Sequence, residues 1–321
     1  MRCPLRRVVP LVTVATVGAV SAEDEWLSFP SPGGAWLVHK DCVHHLDADF
    51  HVESSGDGGD VLSHAGRRVE LPQCRHAPRR PNALSPRASS GDVESPSYYS
   101  DWAAYAQYTH KGGLGYMSSD WTVPPAPEST GPVPGMSSTY FFNGLENSGG
   151  VPGIATFILQ PVLSYGKSGC IVNPLNFFHW YLTSFHVTQA GRAYCGSRLP
   201  VEEGERLRGV MRLGQDNRTW TVESTRLVSN ETSTYSVDLQ GATADTAYLT
   251  LETMINYGCE AFPPSDSLAF SGNALADEAG EKVSPVWQRK VDHTECSQGV
   301  SIGSDGSVTI TWDSHRALAI V

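Results

Sequence analysis

Period-two alternation of apolar and polar residues, broken by turn signals, runs through the chain from about residue 98 onward. Within 207–213, Leu207, Gly209, Met211 and Leu213 share one face, while Arg206, Arg208 and Arg212 take the other. That is the pattern of a half-buried strand. Apolar runs at 121–123, 140–142, 157–160, 176–185, 220–224, 235–239, 247–255 and 268–271 repeat it. Pro124-Pro125 ends the first run, and Asn143-Gly144 follows the second as a turn signal. Runs at 300–302 and 308–312 flank Asp305-Gly306 and predict a hairpin. No long helical period occurs in this half. The pattern predicts an all-β fold, most simply an antiparallel two-sheet β-sandwich.

Composition narrows the setting. The 321 residues include 31 Gly and 21 Pro with 18% charged residues, which suits a turn-rich β protein. A formal net charge of -11 argues against a nucleic-acid partner. Arg2, Arg6 and Arg7 precede an apolar stretch at 8–20 and the small residues Ser21 and Ala22, so residues 1–22 read as a secretory signal. The stretch is short for a membrane span, and a secreted, extracellular monomer with no membrane partner is expected. Setting Cys3 aside with the signal leaves six of the seven cysteines. An even count in an oxidising compartment predicts disulfides. Neighbour pairing gives Cys42 with Cys74, Cys170 with Cys195, and Cys259 with Cys296. Asn217-Arg218-Thr219 and Asn230-Glu231-Thr232 are glycosylation sequons.

Residues 23–97 differ in character from the expected sandwich at 98–321. The first part, to about residue 75, is a small irregular region around Cys42 and Cys74. It holds His39, His44, His45 and His51 close to Asp41, Asp47 and Asp49. Their spacing matches no ordered ligand pattern, so a solvated polar module with no metal is expected. Between Arg67 and Arg87, six arginines meet one acid, Glu70, among prolines and serines. This composition fits a flexible linker, or part of a propeptide resting on the acidic domain by charge attraction.

Two polar residues close apolar runs. Gln160 ends ATFILQ and Glu252 ends AYLTLE. A polar side chain inside a β-run costs free energy unless it is hydrogen-bonded or employed in chemistry. Alternation puts Tyr248, Thr250, Glu252 and Met254 on one face, opposite Leu249 and Leu251, and sets Gln160 with Ile158, opposite Phe157 and Leu159.

These residues sit in motifs that resemble the glutamic peptidases, the eqolisin family. YSDWAAY at 99–105, MSSDWTVPPAP at 117–127 and TYFFNGLE at 139–146 are similar to its opening segments. FILQPV at 157–162 resembles the strand carrying its catalytic Gln, which falls on Gln160. NFFHWYLTSF at 176–185, EEGERLRGVMR at 202–212 and LAFSG at 268–272 follow in the family's order. AYLTLETM at 247–254 resembles the strand of its catalytic Glu, which falls on Glu252. The resemblance implies a concanavalin-like sandwich and an acid endopeptidase without cofactor or metal. It makes Glu252 the general base and acid and Gln160 the oxyanion donor toward a polypeptide. Trp180, Tyr181 and Tyr248 are candidate substrate contacts; Trp102, Trp121, Trp180, Tyr181 and His179 fit either a substrate cleft or core or sugar-stacking positions, core first for Trp102 and Trp121. Pro161-Val162, Leu182, Asn143, Leu145, Tyr248 and Leu249 stand where the family has other residues. Glu260 is a second glutamate nearby, in a stretch that reads as loop.

The alternative is a catalytically inactive, lectin-like module that binds carbohydrate or protein through a concave face with aromatics and amides. A glycoside hydrolase lacks support, because no strand carries two closely spaced carboxylates of the ExxxE kind. Neither GxSxG nor GxxxxGK[ST] occurs, which disfavours serine-hydrolase and P-loop chemistry.

Overall fold

The computed structural model describes residues 25–31, 34–46, 50–54, 60–79, 99–131, 137–147, 157–188, 190–256 and 258–316. The signal-like segment, Asp47, Asp49 and the basic stretch from Arg80 onward lie outside them. Six strands come first: β1 (Trp26–Ser31), β2 (Gly34–His39), β3 (Val43–His45), β4 (His51–Ser54), β5 (Asp60–His64) and β6 (Arg67–Leu71). Next are β7 (Tyr99–Thr122), β8 (Ser138–Glu146), β9 (Phe157–Tyr165), β10 (Trp180–Thr188), β11 (Ala193–Cys195) and β12 (Leu199–Val201). The remainder are β13 (Arg206–Leu213), β14 (Thr219–Arg226), β15 (Glu231–Asp238), β16 (Ala244–Asn256) and β17 (Ser267–Asp277), then β18 (Lys282–Val283), β19 (Gln288–Val291), β20 (Gly299–Ile302) and β21 (Val308–Thr311).

Pairing sorts these into an all-β, two-layered sandwich. The front layer runs β3, β11, β10, β9, β8, β16, β7, β19. The back layer runs β6, β5, β4, β15, β14, β13, β7, β17, β21, β20. Strand β7 belongs to both: its first half pairs with β16 and its second with β13 and β17. All these neighbours are antiparallel except β3 on β11 and β4 on β15. Alternation then fills the space between the layers. Phe141, Leu159 and Leu163 from the front meet Met211, Trp220 and Tyr235 from the back, all fully buried. Each such side chain contributes roughly 1.5–3 kcal/mol by leaving water. The arginine face of β13 points outward as expected, and Arg208 grips Asp120 with two hydrogen bonds of 2.6 and 2.8 Å.

Three expectations change. The first part of 23–97 is not a solvated module: β3 and β4 extend the two layers, and Leu46 and Val52 are buried in the inter-sheet core. Their partners lie more than a hundred residues away, beyond the reach of local pattern. Arg67–Leu71 is a strand rather than linker, paired with β5. The strand expected over 176–185 begins only at Trp180, because Asn173 caps a 3-10 turn at Pro174–Asn176.

The disulfides are Cys42–Cys74, Cys170–Cys195 and Cys259–Cys296, the neighbour pairing. None joins residues 25–79 to residues 99–316. No helix among the described residues is long and apolar enough to cross a membrane. Asn217 and Asn230 both sit at exposed turns with positive φ, 52° and 57°.

Candidate active site

The outer face of the front layer carries the polar residues of interest. Register places on it Glu146 and Tyr140 from β8, Gln160 and Ser164 from β9, Tyr181 and Phe185 from β10, and Tyr248 and Glu252 from β16. Glu252 pairs with Trp102 of β7 across a register shift between Leu251 and Glu252. Such a bulge bends the strand and re-aims the side chain. Trp102 completes an aromatic group there, edge-on to Tyr248 at 4.6 Å and Tyr105 at 5.0 Å. Burial together with Asp292 pushes the Tyr105 hydroxyl up to about 12.

Gln160 and Glu252 are each fully buried on this same face. They are not level. Tyr140 pairs with both Glu252 and Ser164, which is four residues along β9 from Gln160. On an ideal ladder, four residues and two strand spacings put their Cα atoms roughly 16 Å apart. The two are thus offset along the face rather than side by side. Level with Gln160 instead are Gly144, between the Phe142↔Val162 and Leu145↔Leu159 pairs, and beyond it Tyr248. Gly144 offers no side chain to separate them.

Glu146 is the carboxyl nearest in register. It stands beside Ile158, two residues from Gln160 on the adjacent strand, or roughly 8 Å between Cα atoms. It is 5% exposed, and burial raises its pKa to about 7, offset in part by a hydrogen bond from Tyr248. The Tyr248 hydroxyl is raised in turn, by burial first and then by Glu146. A neutral carboxyl at mild acidity can donate a proton and then receive one. The motif TYFFNGLE contains Glu146, but alternation alone does not separate it from a strand-end surface acid; the signal was its parity with Gly144.

The face is covered. The β1–β2 hairpin lies on it and forms a second apolar cluster: Leu27, Phe29 and Leu37 meet Phe142, Val162 and Phe185. Phe29 is fully buried, edge-on to Phe185 at 5.8 Å. Ser28 Oγ lies 3.0 Å from the Tyr140 hydroxyl, and the Gly169 N–H donates to the Ser28 carbonyl at 2.7 Å. Most telling, Gln160 Nε2 donates a 2.7 Å hydrogen bond to the main-chain carbonyl of Pro30. The candidate oxyanion donor therefore holds a peptide carbonyl of its own chain.

The other expected site residues divide. Tyr248 is on the face, and Tyr181 is at its edge, half-buried and paired with Ser164. Trp180 is not: it packs between the layers against Phe141 and Tyr165, because its parity along β10 is opposite to that of Tyr181. Of the positions differing from the family pattern, Leu145, Leu182 and Leu249 also belong to the inter-sheet core. Asn143 donates to the Gly209 carbonyl of β13, at 3.3 Å. A Cβ at Gly209 would fall 2.2 Å from Asn143 Oδ1 and 2.6 Å from Pro161, so this close approach of the layers requires glycine. Only Val162 and Tyr248 of those positions face the site. Pro161-Val162 continues strand β9 past Gln160. Glu260 is exposed in a 3-10 turn.

No protein-family model matches the sequence, and no curated protein does. Among solved structures, the chain is similar to Scytalido-glutamic peptidase with a peptide-based transition state analog, at 13% identity and a TM-score of 0.47, covering 67% of this chain and 100% of that one. SCP-B, a member of the eqolisin family of peptidases in complex with the tripeptide Ala-Ile-His, is similar at 12% identity and a TM-score of 0.46, with the same coverage. Lectin II from Ulex europaeus matches at 13% identity and a TM-score of 0.28, covering 51% of this chain and 78% of that one.

Proposed function

We propose that this chain is a secreted, monomeric acid endopeptidase of the glutamic type, latent while its N-terminal hairpin lies on the site. The observation that carries the reading is the bond from Gln160 Nε2 to the Pro30 carbonyl. A carboxamide that donates to a peptide carbonyl in a buried groove is placed to donate to a scissile one. As oxygen gains charge in the tetrahedral intermediate, such a donor is worth roughly 3–4 kcal/mol. The ordered motifs, the buried carboxyls and the signal-like start support the same reading.

Chemically, a carboxylate takes a proton from water, the water oxygen attacks the carbonyl carbon, and the carboxyl returns the proton to the leaving amine. Two carboxyls contend for this work. The resemblance assigns it to Glu252, and register favours Glu146. A second reading also has a specific observation behind it. Strands β3 and β4 are hydrogen-bonded into both layers, as in a permanent cover, which suits an inactive binding module.

The test is cleavage of an unfolded protein by the purified secreted chain at about pH 3–5, the range suited to an ordinary carboxyl acid–base, and on up to about pH 7, where the Glu146 carboxyl ionises. N-terminal sequencing of the products follows any loss of residues 25–79. Gln160→Ala is expected to remove most activity. Of Glu252→Gln and Glu146→Gln, the one that abolishes turnover while the fold persists identifies the proton carrier. Full activity in both glutamate variants, or glycan binding without proteolysis at any pH, refutes the peptidase reading.

A further inference from the structure

We propose that the outer face of the front layer carries a peptide subsite for an aromatic side chain, and that Phe29 of the covering hairpin occupies it as the ring of a bound polypeptide would. The subsite takes the ring one residue before the carbonyl that Gln160 holds. As a statement about substrate this rests on the peptidase reading; as a statement about binding it does not. Strand β1 meets the sandwich through its main chain. The Gly169 N–H donates to the Ser28 carbonyl at 2.7 Å, and Gln160 Nε2 donates to the Pro30 carbonyl, also at 2.7 Å. Carbonyls two residues apart leave an extended strand by the same edge. Neither bond reads the sequence of β1, so any extended chain offers the same two acceptors.

Selection falls to the side chain between those carbonyls. Phe29 is fully buried and edge-on to Phe185. A Cβ at Gly169 would lie 2.0 Å from two atoms of the Phe29 ring, so only glycine leaves room for an aromatic there. The walls are fixed relative to Gln160. Phe185 of β10 pairs with Gln160 of β9 on one side and with Cys195 of β11 on the other. The Cys170–Cys195 disulfide ties the residue after Gly169 to that same position of β11. Gly169 itself lies in a turn closed by the Ser168–Ile171 bridge, with hydrogen bonds of 3.3 and 2.9 Å. A pocket set by sheet register and a disulfide keeps its shape without the hairpin.

The chemistry of the walls sets the preference. Phe142, Val162 and Phe185 belong to the same apolar cluster as Phe29. A phenyl ring gains both burial and an edge-to-face contact there, and an alanine forfeits most of each. A charged side chain would lose its water with nothing to replace it. One further contact reads the residue before the ring: Ser28 Oγ lies 3.0 Å from the Tyr140 hydroxyl and donates to the Lys167 carbonyl at 3.2 Å. The occupant that fits is therefore an extended polypeptide with an aromatic residue, preceded by a small hydroxylated one.

The experiment opens the subsite in the full chain with Phe29→Asp, whose carboxylate does not stay buried among apolar walls. Calorimetry then measures binding of the capped peptides Ser-Phe-Pro-Ser and Ser-Ala-Pro-Ser. The first is expected to bind saturably and at least about tenfold more tightly than the second, from burial of its ring. Adding Gly169→Ala to the same chain should erase that preference. Phe29→Ala takes the place of Phe29→Asp if the latter does not fold. Equal affinity for the two peptides, binding of neither, or a hairpin as resistant to proteolysis in Phe29→Asp as in the parent overturns the proposal. Cleavage of an unfolded protein by the parent gives a separate readout: an aromatic residue should stand immediately before the residue whose carbonyl is cut. Cuts without that enrichment overturn the subsite and leave the peptidase reading standing, whereas selective peptide binding without any cut does the reverse.

Discussion

Replacing His186 with leucine should remove most of the acid sensitivity of the seam between the N-terminal segment and the sandwich. His186 is fully buried on β10, and neither ring nitrogen has a hydrogen-bond partner. Its ring stacks on Tyr194 at 5.5 Å, and Tyr194 stacks on His44 of β3 at 5.3 Å. The Tyr194 hydroxyl donates to Asp60 of β5, which is also paired with Arg192 at 2.5 Å. Desolvation lowers the His186 pKa from 6.5 to about 4, against the attraction of Asp60. His44 and His45 are lowered as well, again chiefly by burial.

The sign follows from proton counting. Between pH 6.5 and 4 the unfolded chain binds a proton at this position and the folded chain does not. Stability is therefore intact above that window and falls as pH drops through it. The shift from 6.5 to about 4, at about 1.4 kcal/mol per pKa unit, amounts to roughly 3 kcal/mol. His186→Leu cannot take up the proton, and it also removes two unsatisfied buried nitrogens. Urea unfolding of parent and variant at the two ends of the window gives the difference directly. The gap should widen by about 3 kcal/mol toward acid. Parallel stability curves for the two proteins would refute the reasoning.

Other expectations follow from single contacts. Gly169→Ala would place a Cβ 2.0 Å from the Phe29 ring, so it should dislodge the hairpin while sparing the inter-sheet core. Increased dye binding and faster proteolysis within residues 25–79 check this, and unchanged protection there counts against it. Glu146→Gln should stabilise the protein above neutrality and not below about pH 4. The folded carboxyl has a pKa of about 7, so the parent loses stability as pH rises from 4.5 through that value. Urea melts at the two extremes should diverge by about 3 kcal/mol, discounted for the hydrogen bond from Tyr248 that the amide retains. Arg192→Met should leave Asp60 buried without its cation and cost about 3–5 kcal/mol, read in the same melts.

Much of the sandwich could be read from alternation, because strands such as β13, β14 and β15 bury one face against the other layer and expose the other more. Leu207 and Met211 point inward and the arginines of β13 outward for that reason. The hairpin around Asp305-Gly306 and the disulfide pairing were legible on local grounds. Register was not. Nothing in FILQ or TLE says that Tyr140 stands between Glu252 and Ser164, leaving Gln160 level with Gly144. Trp180 and Tyr181 are adjacent in the chain, and only the pairing of β10 with β9 decides which ring faces outward. The cover leaves no local signal because its partners are distant: Pro30 meets Gln160, and Val43 pairs with Ala193. His76 stacks on His39 because the Cys42–Cys74 disulfide, not the sequence interval, brings the two together.

The placement of the three disulfides changes what a break in the chain between Arg79 and Tyr99 would do. Each sulfur bridge closes within its own half, so the severed pieces would be two molecules rather than one. A tethered segment faces its groove at an effective concentration in the millimolar range, and a free one only at its bulk concentration. Inhibition would then obey mass action. On the latent-peptidase proposal, dilution would favour release of residues 25–79, and that release would also give up the β3–β11 and β4–β15 pairings and the buried Leu46 and Val52.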